Sequence, residues 1–523
     1  QVAQCGNDVI ESPEVCDDGN TETEGCAYGE TSCTVCAGDC TETAGQIRMC
    51  GDTVLDAEED CDDGNTETEG CAYGETSCTV CAGDCTATSG ETRMCGDAVV
   101  DPEEGCDDAN SVDADRCTDA CMINQFCPAL PGRNHCASRN NYTPGLREHY
   151  MVSMDGCNFA LDAPSPATWA LGNERVQQLI DRTNGQRSIA NVLADLNRSG
   201  RRGITNYNAH RLRNHSWFGF NWDDGDSDVS YWYPQGITGS SDARPSGYVS
   251  GRRLILVSWY NKTEARPTKG ARVSLADLTD PDDINYRHIL LVEPYITGDG
   301  ETDFKPTETE SGNALHVGGI VWYGNYLFVA DTTKGIRVFD FSRLIEVSNT
   351  SDTGRVGFSG SRSDAHGYKY IAVQVARYTQ PEDACYFNFS ALGLDLSSNP
   401  PTMITSEYRG DDSQGRLVHW PVDVETGLLL DIDGQVRGRD AQAAAQEKIQ
   451  GALSWEGNYY ISSSSQYQNF GRLYRTRPGL ESRITAWVYG AEDLYYERIS
   501  GMIWTAAEHP DFRDNVGIPL LVP

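Results

Sequence analysis

The sequence predicts a mainly β protein: small disulfide-rich repeats, a short helical connector, and a β-propeller of five to seven blades, with five blade starts legible. Three observations predict it. Eighteen of the twenty cysteines lie before residue 137. The 26 residues Cys16–Thr41 recur identically at Cys61–Thr86, within a 45-residue period. From about residue 211 the texture changes to short apolar runs separated by Gly, Asn, Asp and Pro, the rhythm of repeated blades.

Repeat 1 spans 1–49, repeat 2 spans 50–94 and a shorter repeat 3 spans 95–126. Cys5, Cys16, Cys26, Cys33, Cys36 and Cys40 form the first set. Cys50, Cys61, Cys71, Cys78, Cys81 and Cys85 form the second, with the same spacings of 11, 10, 7, 3 and 4 residues. Cys95, Cys106, Cys117 and Cys121 form the third. An even number in each repeat predicts a disulfide framework made in an oxidising compartment, with connectivity left open. Zinc is the competing reading, because Cys33-x-x-Cys36 and Cys78-x-x-Cys81 have ligand spacing. No histidine accompanies either pair, and six cysteines exceed a four-ligand site. Cys127 and Cys136 are expected to bridge to each other locally, and Cys157 and Cys385 complete the bridged set.

Charge is equally uneven. Residues 1–126 hold 31 Asp and Glu against three Arg and no Lys, so −28 of the formal net charge of −37 sits there. The same stretch contains no Trp and one Phe, Phe126. Such a chain cannot bury a conventional core, and its self-repulsion opposes compaction. Disulfides and bound cations are the two remedies. The acidic balance argues against nucleic acid and anionic membrane surfaces as partners, and no apolar stretch reaches membrane-spanning length. Cysteine usage predicts a secreted or cell-surface protein, with Gln1 following a removed leader.

Each repeat opens Cys-Gly and runs to Cys-Asp-Asp. The stretch from Cys95-Gly96-Asp97-Ala98-Val99-Val100 to Cys106-Asp107-Asp108, with the two Cys-Asp-Asp-Gly-Asn strings, resembles the myxobacterial cysteine-rich repeat over 5–121. Ala109 departs from the pattern where the other repeats have Gly19 and Gly64. The resemblance implies an exported surface protein and no enzymatic activity.

Calcium is the cofactor these turns suggest. Asp17, Asp18 and Asn20, their copies Asp62, Asp63 and Asn65, and Asp107, Asp108 and Asn110 set hard oxygen donors on tight turns. The alternative is that Asp and Asn there serve turn geometry. A second acidic run, Asp223, Asp224, Asp226 and Asp228, has the oxygen density of a calcium loop but lacks the closing Glu of an EF-hand, Gln235 lying near that position. Asp431-Ile432-Asp433-Gly434 is a weaker case.

Residues 127–210 read as a connector with two helical patterns, Asn173–Thr183 and Ser188–Leu196. Residues 211–523 read as the propeller, with 211–233 supplying a closing strand; a β-sandwich array is the competing architecture. Blade starts fall at Gln235-Gly236-Ile237, His316, Gly367–Tyr370, Gln450 and Glu492. The runs Trp232–Ser240, His316–Thr332 and Gly490–Leu494 resemble a family of uncharacterised secreted actinobacterial proteins, which implies a propeller-like secreted domain and assigns no activity.

In a propeller the first residues of the innermost strands line the central funnel, which nominates Gln235, His316, Gln450 and Glu492 as ligand-binding residues. Satisfying buried backbone groups is the competing role. Glu508-His509 offers a further carboxylate–imidazole pair. No nucleophile elbow, zinc-protease helix, phosphate loop or dinucleotide fingerprint occurs, so no catalytic residue is nominated. The sequence therefore favours an exported structural or adhesive protein that self-associates into a filament or coat. The alternatives are a secreted propeller lyase or hydrolase on extracellular polymer, or a module binding an extracellular glycan or surface protein.

Overall fold

The computed structural model describes residues 4–96, 150–262, 268–410, 415–464 and 470–520, with Glu104, Cys121, Cys127 and Leu130. Two compact units span Gln1–Asn124 and Gln125–Pro523. The chain is mainly β, and among the described residues no helix is long and apolar enough to cross a membrane.

The first unit is held by nested disulfides. Cys5–Cys40, Cys16–Cys36 and Cys26–Cys33 in repeat 1 recur as Cys50–Cys85, Cys61–Cys81 and Cys71–Cys78 in repeat 2, and Cys95–Cys121 follows. Each full repeat carries one small hairpin, Thr34–Cys36 with Glu42–Ala44 and Thr79–Cys81 with Ala87–Ser89. Packing is tight enough that a Cβ on Gly38 would stand 2.2 Å from the Thr21 carbonyl oxygen. The buried apolar residues among those described are all cysteines: Cys26, Cys40, Cys71, Cys81, Cys85 and Cys121. Sulfur bridges therefore take the place of a hydrophobic core. Successive repeats engage through a recurring pair: the Tyr73 hydroxyl donates to Glu104 at 2.8 Å, and Tyr28 faces Glu59 one period earlier.

The second unit is a propeller of five four-stranded blades. Its innermost strands are Trp232–Gly239, Ile320–Tyr323, Ala391–Asp395, Ile449–Trp455 and Tyr495–Glu497. Each opens an antiparallel meander; blade 1, for example, continues through Leu254–Asn261, Ala271–Asp277 and Asn285–Ile296. Blade 5 takes its outer strand, Phe218–Asn221, from before blade 1, paired with Asp514–Pro519. The closing strand thus falls within the expected 211–233.

Side chains of one strand feed opposite faces, so each blade packs on both neighbours. Leu254 and Leu256 enter a cluster with Ile320, Trp322 and Val329 of blade 2, while Ile255, Val257 and Trp259 enter one with Trp504 and Tyr495 of blade 5. The other interfaces are filled likewise. This double burial is why the strand reads as a continuous apolar run. The Glu456-Gly457 turn between Trp455 and Asn458 has positive φ at both residues, as a type I′ hairpin requires.

Three expectations are corrected. Gly367–Tyr370 does not start a blade: it leads into Tyr370–Thr379, the outer strand of blade 2, and blade 3 begins at Ala391. Within the expected connector 127–210, the described residues 150–210 join the propeller rather than link to it. Val152–Met154 adds to blade 3 through Ala441, and helix Pro166–Asp181, capped by Ser165, packs on the outer strand of blade 2 with Gly172 against the Val375 carbonyl. A capping box of Ser188 and Asn191 starts the shorter helix Ile189–Leu193. Finally, Cys127 bridges to Cys157 rather than to Cys136. Cys385 is also bridged.

At the ring axis the innermost strands meet backbone to backbone. Asp493 Oδ2 accepts from the Ile237 N–H at 3.3 Å and the Ile320 N–H at 3.4 Å, and Leu392 and Leu494 also donate to this carboxyl. One side chain thereby ties blade 5 to blades 1, 2 and 3. Gly236 and Gly319 permit the approach: a Cβ there would meet the Ile320 and Leu392 nitrogens at 2.8 and 2.0 Å.

Candidate ligand-binding site

The innermost strands all begin on one face of the ring, and that entry face gathers three of the four funnel residues the sequence nominates. Gln235 is buried and donates through Nε2 to Glu508 Oε2 at 3.3 Å and to the Pro234 carbonyl at 2.9 Å. Glu492 opens blade 5 and is buried; its N–H donates to the Ala506 carbonyl. Burial, then the charges of Glu508 and Asp493, push its carboxyl well above the usual range. Burial also raises Glu508, opposed by His509, Lys262 and the Gln235 bond.

Tyr260, at the end of the second strand of blade 1, joins these carboxyls to His316. Its phenol is pushed upward by burial, Glu508 and Glu492, and its ring stacks on His316 at 4.4 Å between centroids and 17° between planes. Burial and Lys262 lower the His316 pKa, so this imidazole is neutral at pH 7. Tyr233 extends the aromatic surface, 5.6 Å from Tyr260, with the Lys262 ammonium 4.8 Å over its ring. Gln450 stands apart, its amide donating to Ser464 Oγ at 3.4 Å. Chemically, the cluster offers carboxyl oxygens, an amide and a flat aromatic pair: hydrogen bonding in both directions beside an apolar platform.

The nominated metal residues are placed differently. Asp17 accepts from the Gly6, Asn7, Asp8 and Gly19 N–H groups at 2.8–3.2 Å, and Asp62 does the same with Gly51, Asp52, Thr53 and Gly64. These bonds hold both carboxylates on their turns. Asn20 and Asn65 accept from the Glu22 and Glu67 N–H groups at 2.6 Å, as turn formers. Asp18 and Asp63 accept weakly from Asn20 and Asn65. The third copy, Asp107, Asp108 and Asn110, lies outside the described residues, as do Cys106, Cys117 and Cys136. The run 223–228 forms a single helical turn capped by Asp223, with Asp224 paired to Arg201 and Asp228 exposed. Asp226 turns inward onto Arg272 Nη2 (2.9 Å), Arg198 Nη1 (3.0 Å), His288 Nε2 (3.0 Å) and the Tyr286 hydroxyl (2.6 Å). Two guanidiniums pair with this carboxylate.

Two buried relays escaped sequence reasoning because their members are far apart in the chain. Trp259 Nε1 donates to Ser274 Oγ, which contacts His288 Nδ1 at 2.8 Å, and His288 reaches Asp226. Burial and Arg272 lower His288 to about 3, so it is neutral. In blade 3, His419 lies between Asp440 (Nδ1, 3.2 Å) and Ser454 (Nε2, 3.2 Å), in the order of a hydrolytic triad. Ser454 is only 1% exposed and donates to Asp395 Oδ2 at 2.6 Å. A nucleophile needs an approach for its substrate, and this one has none; both relays staple strands.

The opposite face carries a cleft of about 470 Å³ lined by Asp242, Arg244, Tyr323 and Arg498. Burial raises Asp242 to about 8, against the Thr238 bond and Arg498.

Fold and site together define a disulfide-stapled repeat protein with a five-bladed propeller. No family model matches the chain, and no curated protein does. Among solved structures it is similar to hydrazine synthase from Kuenenia stuttgartiensis, at 8% identity and TM-score 0.26 over 54% of this chain and 76% of that one. It is also similar to a gluconolactonase from Xanthomonas campestris, at 11% and 0.22 over 62% and 85%. A third is the β-propeller domain of the Trilobed protease from Pyrococcus furiosus, at 9% and 0.18 over 53% and 65%.

Proposed function

We propose that this chain is an exported surface protein whose propeller binds an extracellular glycan at its entry face, carried on the acidic repeats. The observation that supports this most is the convergence of Glu492, Glu508 and Gln235 beside the stacked Tyr260–His316 pair. A sugar offers hydroxyls that donate and accept and an apolar ring face, and this cluster complements both. Titration calorimetry of the full chain against neutral and uronic-acid polysaccharides tests it. Binding that Tyr260→Ala and Gln235→Ala weaken at least tenfold is expected. No saturable binding to any of them, or binding indifferent to both variants, refutes it. New reducing or unsaturated ends in the same samples would instead identify a polymer-cleaving enzyme.

Self-association is a second reading, favoured by exposed apolar pairs at equivalent positions of the array, Val9-Ile10 and Val54-Leu55. Solvent-facing aliphatic pairs that recur every 45 residues suit lateral packing of one array on another. Sedimentation velocity of Ile10→Asp with Leu55→Asp should then show monomer where the wild type shows larger species; a wild type that stays monomeric at all concentrations refutes it.

A further inference from the structure

We propose that a cationic cleft on the flank of blade 1 is a binding site for a small oxyanion: a sulfate, phosphate or carboxylate group. The cleft holds about 190 Å³ and is lined by Arg198, Lys269, Arg272, Arg287 and Lys369, with Asp226 the one carboxylate among its lining residues. In a chain of formal net charge −37, five cations around one small space run against the composition.

Arg272 forms the floor. Its guanidinium is 3% exposed, bonds Asp226 and the Tyr368 hydroxyl (3.0 Å), and lies 4.5 Å over the Trp232 ring. Its Nε–H nevertheless has no acceptor. His366, 8% exposed and at positive φ, also lines the cleft with Nδ1 unbonded, 3.6 Å from Asp352. Buried polar groups without partners are rare and mark where one is supplied from outside. The rim amines are paired to carboxylates that lie outside the lining. Lys369 meets Asp195 at 2.7 Å and Lys269 meets Asp352 at 3.1 Å; Asp352 is exposed and Asp195 half-buried. Such partly solvated pairs are weak, so an anion entering the cleft competes for the amines. The volume admits one oxyanion group and a few waters rather than a sugar chain, which separates this site from the entry-face cluster.

Trp232 in the lining gives a readout. The full chain is titrated with sodium sulfate, sodium phosphate and sodium glucuronate at constant ionic strength set with chloride, following tryptophan fluorescence and calorimetric heat. Saturable binding of at least one of the three is expected, and which one separates inorganic oxyanions from a uronate. Lys269→Gln with Lys369→Gln should weaken it at least tenfold while the melting temperature stays within about 2 °C, and Arg198→Gln alone should weaken it about threefold. No saturation above the chloride control, or affinity unchanged in both variants, overturns the proposal.

Discussion

Replacing Asp493 with alanine removes the acceptor at the ring axis. The Ile237 and Ile320 N–H groups lose their partner, and so do those of Leu392 and Leu494. Orphaning a buried N–H costs about 1–3 kcal/mol; the two bonds at 3.3 and 3.4 Å are long, so the lower figure applies and four groups cost about 4 kcal/mol. Unfolding entropy near the midpoint is about 2 cal/mol/K per residue, so for a unit of roughly 400 residues one kcal/mol moves the melting temperature by about 1 °C. Asp493→Ala should therefore melt about 4 °C lower. Asp493→Asn keeps one oxygen facing the N–H groups and should lose about 1 °C. Scanning calorimetry of the full chain, both variants beside wild type at one pH, makes the comparison. Equal midpoints for the alanine and asparagine variants would refute the reasoning, since they would show that the axis is held by packing alone.

Other consequences are tested more simply. Asp242, raised by burial to about 8, stays protonated in the fold after the unfolded chain has lost its proton near pH 4. The contribution of this group to stability then falls as pH rises from about 4 to 8, by up to about 5 kcal/mol. Guanidinium unfolding at pH 5 and pH 8 should show a smaller loss in Asp242→Asn than in wild type. Reduction with a thiol should make the first unit sensitive to protease, whereas a calcium chelator should leave it resistant, because cysteines supply its buried apolar groups. Ser454→Ala strands the Asp395 and His419 partners and should destabilise the propeller by about 1–3 kcal/mol in denaturant unfolding, with no loss of any activity the protein shows.

Much of the propeller was legible because a blade strand is buried on both faces. Leu254-Ile255-Leu256-Val257 and the Ile320–Asp331 hairpin announce themselves as apolar runs, and Gln235 and Glu492 follow as residues in or just before such strands. The same physics misled at Gly367–Tyr370. The outer strand of blade 2 is also covered, by helix Pro166–Asp181 and the neighbouring blade, and so imitates an inner one. Blade 3 was missed because the first turn after Ala391–Asp395 runs through Pro400-Pro401 rather than a Gly-containing pair. Tyr260 was invisible as a site residue, since a second strand reaches the entry face only after the meander turns back. The Cys127–Cys157 bridge and the Asp440–His419–Ser454 relay depend on tertiary placement, which no local pattern encodes.

The pairing of Phe218–Asn221 with Asp514–Pro519 also sets a timetable. A strand made early in the propeller waits, unpaired on one edge, while nearly the whole ring is synthesised. Contacts this distant in sequence slow folding and leave that edge open to the wrong partner. The oxidising steps that staple the two full repeats need no such delay, since their bridges span at most 35 residues. The chain is thus built to mature in two tempos, a fast array and a late-closing ring, and any loss of its last blade would leave Phe218–Asn221 paired only to Arg201–Arg202.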